Sequence, residues 1–254
     1  VKELESWVAD LILQQVAQAR TETRYRPPLV GFADAADPRF HELRQLVEPT
    51  HLLPADLLPG ARSVVAFFLP FAPEVVVANR AHPREIARAW ALAYVETNAL
   101  IRQVGEHLVD AFAHHGFRAA AEPPTNNYDP ATLVSRWSHK SAAAIAGLGS
   151  FGLHHMLITP AGCAGRFGTL VVDAILEPTS PPAGPLPLRC KYLVDGSCTV
   201  CVDRCPVGAL TEDGLDKQLC NRWLLCAAGR FKAIGAADVC GKCATGPCAL
   251  EPYV

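Results

Sequence analysis

The sequence predicts an α+β fold in two parts, a larger α/β domain over residues 1–182 and a small cysteine-rich module over residues 183–254. Three observations predict it. Nine of the ten cysteines fall in the last 65 residues, a stretch with five prolines (Glu177–Leu188) precedes them, and helical and strand periodicities are interspersed upstream. The 254 residues leave room for one domain of about 150–190 residues plus a small module.

The elements follow in order. Leu4, Trp7, Val8, Leu11, Ile12 and Val16 form the apolar stripe of a first helix. Pro27-Pro28 ends that region and the short apolar run Leu29 to Phe32 follows. Ala61 to Phe71 is almost continuously apolar and rich in Val and Phe, as a central strand covered on both faces should be. From Pro83 to about His115, Ile86, Trp90, Tyr94, Ile101, Val104, Leu108 and Phe112 recur at threes and fours, a long helix closed by His114, His115 and Gly116. Phe117–Ala121 reads as a short strand, Ser141–Ala146 as a helix, and His155–Thr159 and Arg166–Leu176 as strands. In the last, Leu170, Val172, Ala174 and Leu176 alternate with Thr169, Val171 and Asp173. Lys217 to Ala228 reads as a helix within the cysteine-rich module.

A net charge of −2 and a pI near 6.5 give no global basic face for nucleic acid or membrane. The longest apolar stretches are broken by Pro70, Pro73 and Glu74 or by glycines and histidines, so neither suits a bilayer. No signal peptide or twin-arginine leader is visible in a chain beginning at Val1, and a reducing cytoplasm is the expected compartment.

The cysteines carry the most specific chemistry. Cys198-x2-Cys201-x3-Cys205-Pro206 is followed by Cys240-x2-Cys243-x4-Cys248. Thiolates at such spacings bind iron–sulfur clusters, and the cysteine before the proline ligates the other cluster in two-cluster ferredoxins. Disulfide frameworks belong to small secreted domains, and zinc sites do not account for Cys-Pro followed by Val-Gly-Ala-Leu. A bacterial ferredoxin run would place its first cysteine at Asp195, so Cys190 takes that role, returned by a turn at Asp195-Gly196. The expected sets are Cys190, Cys198, Cys201 and Cys248 for one 4Fe–4S cluster, and Cys205, Cys220, Cys240 and Cys243 for the second. Cys226 is an alternative to Cys220, and Cys163 reads as a small buried hydrophobe.

Outside the cysteines, the segment His139-Lys140 through Gly147-Leu148-Gly149-Ser150-Phe151-Gly152 to Leu157-Ile158 stands out. Its closely spaced glycines permit close backbone approach, but they follow a helix, so they are no dinucleotide fingerprint. This run, Arg166 to Leu176 and the double cysteine array together resemble the epoxyqueuosine reductases and reductive dehalogenases over roughly residues 130–250. The resemblance implies a nitroreductase-like α/β sandwich followed by a bacterial ferredoxin-like module. It further implies a base-off cobalamin between them, contacted by Ala146, Gly147, Gly149, Phe151, Gly152, Leu157 and Ile158.

The chain departs from the epoxyqueuosine reductases where they carry an acidic proton donor. Thr132, Leu133 and Val134 stand near that place, with Asp129 out of register, and the chain stops at Val254 without the extension found in many of them. A small-molecule substrate is therefore expected in place of tRNA. Tyr128, Asp129, His139 and Lys140 are the candidate proton donors, histidine and a buried lysine being able to deliver a proton at pH 7. His154-His155 caps a strand or reaches cobalt. The expected activity is reduction with electrons from an external low-potential donor; the alternatives are a non-catalytic electron carrier or corrinoid-handling protein, and a flavin in place of cobalamin.

Overall fold

The computed structural model describes residues 2–124, 128–179 and 187–253. The expected boundary at 182/183 and most of the proline-rich stretch lie outside them. The helices are α1 (Lys2–Ala17), α2 (Pro38–Leu46), α3 (Pro54–Leu57), α4 (Pro73–Arg80), α5 (Arg88–His114), α6 (His139–Ile145), α7 (Lys191–Asp195), α8 (Val200–Asp203) and α9 (Lys217–Arg230). The strands are β1 (Leu29–Asp34), β2 (Ser63–Pro70), β3 (Ala119–Ala121), β4 (Tyr128–Asp129), β5 (Val134–Ser135), β6 (Ser150–Phe151), β7 (Leu157–Ile158), β8 (Gly165–Val172), β9 (Leu210–Thr211) and β10 (Gly214–Leu215).

A four-stranded antiparallel sheet of order β1-β2-β8-β3 organises the larger part. Every residue of β2 is buried, which explains its unbroken hydrophobic run and its place between two neighbours. One sheet face packs Val65, Phe67, Leu170 and Val172 on α1 and α5, while the other packs Val64, Phe68, Phe167 and Val171 on α2 and α6. The alternation in β8 thus separates two cores. Each fully buried aliphatic or aromatic side chain here contributes about 1.5–3 kcal/mol.

Several boundaries move for identifiable reasons. The long helix starts at Arg88 and not Pro83 because the preceding segment is held elsewhere: Asn79 Oδ1 accepts from Ala87 N (3.1 Å), and His82 O accepts from Lys242 Nζ (2.7 Å). β8 ends at Val172, opposite the first residue of β2; beyond it, Leu176 N donates to Ser63 Oγ. The strand expected over His155–Thr159 shortens to Leu157–Ile158, paired with Phe151–Ser150.

The cysteine-rich part closes onto the larger one. Cys163 N donates to Cys248 O and Ala164 N to Ala249 O, both at 2.9 Å. Arg26 donates to Phe71 O, Leu250 O and Ala161 O at 3.0, 2.7 and 2.6 Å. Gly162 has φ +74°, and a Cβ there would lie 2.3 Å from Ala249 O. Gly162→Ala therefore adds left-handed strain of about 1–3 kcal/mol to a backbone clash. Its thermal midpoint should fall by several degrees, on the order of 2–4 °C per kcal/mol for a domain this size.

Candidate functional site

Two cavities take up the eight cysteines. One of about 490 Å3 is lined by Cys190, Cys198, Cys201 and Cys248. Another of about 430 Å3 is lined by Cys205, Cys220, Cys240 and Cys243, with Cys163 also at its wall, and it extends past Tyr94, Lys140 and Arg166.

Local structure explains how sequence-distant thiols meet. Cys190 caps the single turn α7, which ends at Gly196 in the left-handed region (φ +74°), while Asp195 Oδ1 accepts from Ser197 N and Oγ. This turn brings Cys190 back beside Cys198, as the Asp195-Gly196 pair predicts. Gly241, with φ +67°, lies against Trp90, where a Cβ would come 2.0 Å from the ring; this packs the Cys240–Cys243 turn on α5. On α9, six residues turn the chain by about 600°, so Cys220 faces the cavity while Cys226 is exposed and lines neither cavity.

The electrostatics suit metal ligation. Burial, reinforced by Cys248, Cys190 and Cys198, pushes the Cys201 thiol up to about 12. Burial with Cys240 and Cys205 pushes Cys220 up to about 11, and burial with several neighbouring thiols takes Cys243 to about 12. Sulfurs crowded this way hold their protons until a cation neutralises them, so metal binding would release protons. Cys248 differs: hydrogen bonds with Cys163 and His154 pull it down to about 5. Cys163 is buried, as expected, but its sulfur lies 3.9 Å from Cys248 Sγ.

The polar residues singled out in the sequence separate. Tyr128 and Lys140 line the 430 Å3 cavity, and Lys140 Nζ donates to His155 O (2.8 Å) with its pKa lowered by burial. Asp129 is exposed, its carboxylate accepts from Ala131 N, and it lines neither cysteine cavity. His139 belongs to a smaller cavity of about 260 Å3, with Nδ1 2.8 Å from Thr169 Oγ1. Burial lowers its pKa to about 4, opposed by the Pro123 backbone and aided by Arg166. His139 is therefore neutral at pH 7 and is not the acid expected of it. His154 is buried against Cys248, whereas His155 sits exposed in the turn between β6 and β7 with φ +58°.

The glycine-rich run also differs from expectation. Gly147 N donates to Ala144 O and Leu148 N to Ala143 O, a Schellman closure of α6 with Gly147 at φ +79°. A Cβ on Gly149 would lie 2.2 Å from Ile158 O, and one on Gly152 would lie 2.8 Å from Ile158 Cδ1. The close approach these glycines permit is to neighbouring protein. Ala146, Leu157 and Ile158 are fully buried in the core, Phe151 is partly exposed, and none of the seven expected corrinoid contacts lines these three cavities. Arg166, which sequence reasoning passed over, lines two of them and stacks over Tyr94 at 4.3 Å. Only its place at the mouth of β8 after Gly165 could have marked it.

No protein-family model matches the chain. Over 220 residues it is 26% identical to the epoxyqueuosine reductase of Bacillus cereus, covering 77% of this chain and 52% of that protein. The chain is similar to the epoxyqueuosine reductases. It spans about half the length of the curated relatives it matches. The Streptococcus thermophilus epoxyqueuosine reductase superposes with a TM-score of 0.61 at 15% identity, covering 100% of this chain and 68% of that one. An epoxyqueuosine reductase with a modified tRNA stem loop gives 0.54 at 23%, covering 86% and 57%. A catabolic reductive dehalogenase in complex with 3-bromo-4-hydroxybenzoic acid gives 0.58 at 15%, covering 89% and 30%. These likenesses are of fold.

A neutral, half-buried His139 contributes stability that is fully present above its ordinary 6.5 and lost as pH falls toward about 4. The free energy of unfolding should decline across that window, and His139→Gln should flatten the decline; an unchanged slope in urea titrations would contradict the burial argument.

Proposed function

We propose that the protein is an iron–sulfur reductase with two 4Fe–4S clusters, one on Cys190, Cys198, Cys201 and Cys248 and the other on Cys205, Cys220, Cys240 and Cys243. The observation that carries this reading is that the eight thiols part into two cavities by their expected sets, with Cys163 as a ninth thiol at the wall of the second. Two ferredoxin-type sets exchange ligands in this way, since Cys205 leaves its neighbours for the second cavity and Cys248 leaves its own for the first. Four thiolates per set is the ligand number a cubane takes.

The second cavity continues to the residues that would meet an acceptor. By resemblance the acceptor is a base-off cobalamin, which when bound supplies a low-valent cobalt centre for reduction. Since Gly149 and Gly152 pack against Ile158, the seat proposed for it is the nearby mouth bounded by Tyr94, Lys140, Met156 and Arg166. Arg166 and Lys140 present positive charge there, Arg166 held over the Tyr94 ring and Lys140 by the His155 carbonyl. Tyr128 and Lys140 are the proton donors that face the cavity; the burial that lowers Lys140 makes its ammonium a stronger acid. A small, polar organic substrate suits this wall better than a tRNA anticodon loop. The electron donor is an external low-potential carrier, and the compartment is the reducing cytoplasm.

After anaerobic reconstitution the chain should hold about eight irons. Cys190→Ser should lose about half of them, and Cys163→Ser and Cys226→Ser none; equal iron in Cys190→Ser and wild type would refute the ligand sets. Hydroxocobalamin added to the reconstituted protein should give a stoichiometric base-off spectrum. Its absence would remove the corrinoid and leave an electron carrier.

A further inference from the structure

We infer that His154 is a positioning residue for the cluster of the first cavity, donating its Nε2–H to the Cys248 sulfur and thereby raising that cluster's reduction potential. The inference rests on the proposed ligand set and adds to it a residue that ligates nothing.

The geometry fixes which ring nitrogen carries the hydrogen. Met156 N donates to His154 Nδ1 at 3.1 Å, so Nδ1 is an acceptor and the neutral ring keeps its hydrogen on Nε2. Nε2 lies 3.3 Å from Cys248 Sγ. His154 is 4% exposed, and the turn that presents it is closed by Gly152 N to Met156 O and His155 N to Gly152 O. Gly152 makes the space: a Cβ there would lie 3.1 Å from His154 Cε1. The Cys163 Sγ lies 3.9 Å from both the same sulfur and Ala244 O, so its single S–H can serve either acceptor.

The electron added to a cluster spreads onto its ligand sulfurs, so a fixed N–H donor stabilises the reduced form more than the oxidised one. The second cavity has a counterpart in Cys205 Sγ, which accepts from Ala209 N and Leu210 N at 3.2 and 3.4 Å. Those donors belong to the backbone, whereas the first cavity uses a side chain that substitution can remove. His154 also lines both cavities, so the donor stands between the two proposed clusters.

The arrangement has a rival. His154 Nε2 and the sulfurs of Cys163 and Cys248 all lie within 4.8 Å of one another, close enough to share one metal ion. The full reconstituted chain distinguishes the two through redox titration followed by electron paramagnetic resonance. In His154→Phe, iron should stay at the wild-type level while one cluster shifts at least tenfold toward the oxidised form, about 59 mV for one electron. The other cluster should not move. His154→Gln, which keeps an N–H donor, should recover most of the shift, and Cys163→Ala should give a smaller one in the same direction. An unchanged potential at full iron overturns the inference, as does iron loss in His154→Phe matching that in Cys190→Ser, which makes His154 a ligand or an assembly element. Wild-type protein labelled with 15N-histidine should show weak hyperfine coupling from one reduced cluster, a readout that needs no variant to fold; its absence also overturns the inference. Failure of the ligand sets themselves reads out separately, as retention of iron in Cys190→Ser.

Discussion

The backbone pairing of Cys163 and Ala164 with Cys248 and Ala249 is the constraint on which the site depends. Cys248 is separated from Cys201 by most of the cysteine-rich part, yet it must reach the same cavity. Two backbone hydrogen bonds hold it and its neighbour, and Arg26 holds Leu250 by its carbonyl. Arg26 is a partly buried cation bonded to three backbone carbonyls drawn from three segments. Burial lowers its pKa, and the carbonyl dipoles satisfy the guanidinium that burial would otherwise leave without hydrogen bonds. The larger part thus orders the loop that carries Cys248, which would reduce the entropy that metal binding must overcome.

A second set of bonds repeats this logic at the other cavity. The carbonyls of Asn79, Arg80 and His82, where α4 ends and the chain runs on toward α5, receive Lys242 and Arg204. Asn79 Nδ2 returns a bond to Cys240 O, and Arg80 donates to Thr245 O and Gly246 O. Both cations sit beside cavity-lining cysteines, Arg204 next to Cys205 and Lys242 between Cys240 and Cys243. Positive side chains anchored to a helix end, where carbonyls lack intrahelical partners, meet the need of both parts. The helix terminus gains donors, and the crowded thiols gain nearby positive charge.

The sequence made the sheet and the thiols legible for different reasons. Burial on both faces leaves β2 an uninterrupted apolar run, and the two cores leave β8 an alternating one, so hydrophobicity recorded each strand directly. Cysteine spacing separates the same two groups that line the two cavities, and the turn at Asp195-Gly196 returns Cys190 toward Cys198. Helix starts and strand ends were less legible, since Arg88 and Val172 are set by partners as distant in sequence as Lys242 and Ser63. Arg166 was marked only by its place after Gly165, and His154 only as half of a His-His pair. Their roles come from the cavity walls they share.

Glycine was the most ambiguous letter. A run such as Gly147 to Gly152 states that something comes close, without stating what. Here Gly147 reverses the chain after α6, Gly149 admits the carbonyl of Ile158, and Gly152 admits the imidazole of His154. These approaches assemble the turn that carries His154 to Cys248. The run therefore acts on the cysteine cavity through positioning, one side chain removed from Cys248. It also explains why a ligand-binding reading and a packing reading place the same residues beside the same site. Both require closeness to the cysteine cavities, and they differ in whether the space freed by the missing Cβ atoms is filled by a cofactor or by the protein. At Gly149 and Gly152 the protein fills it.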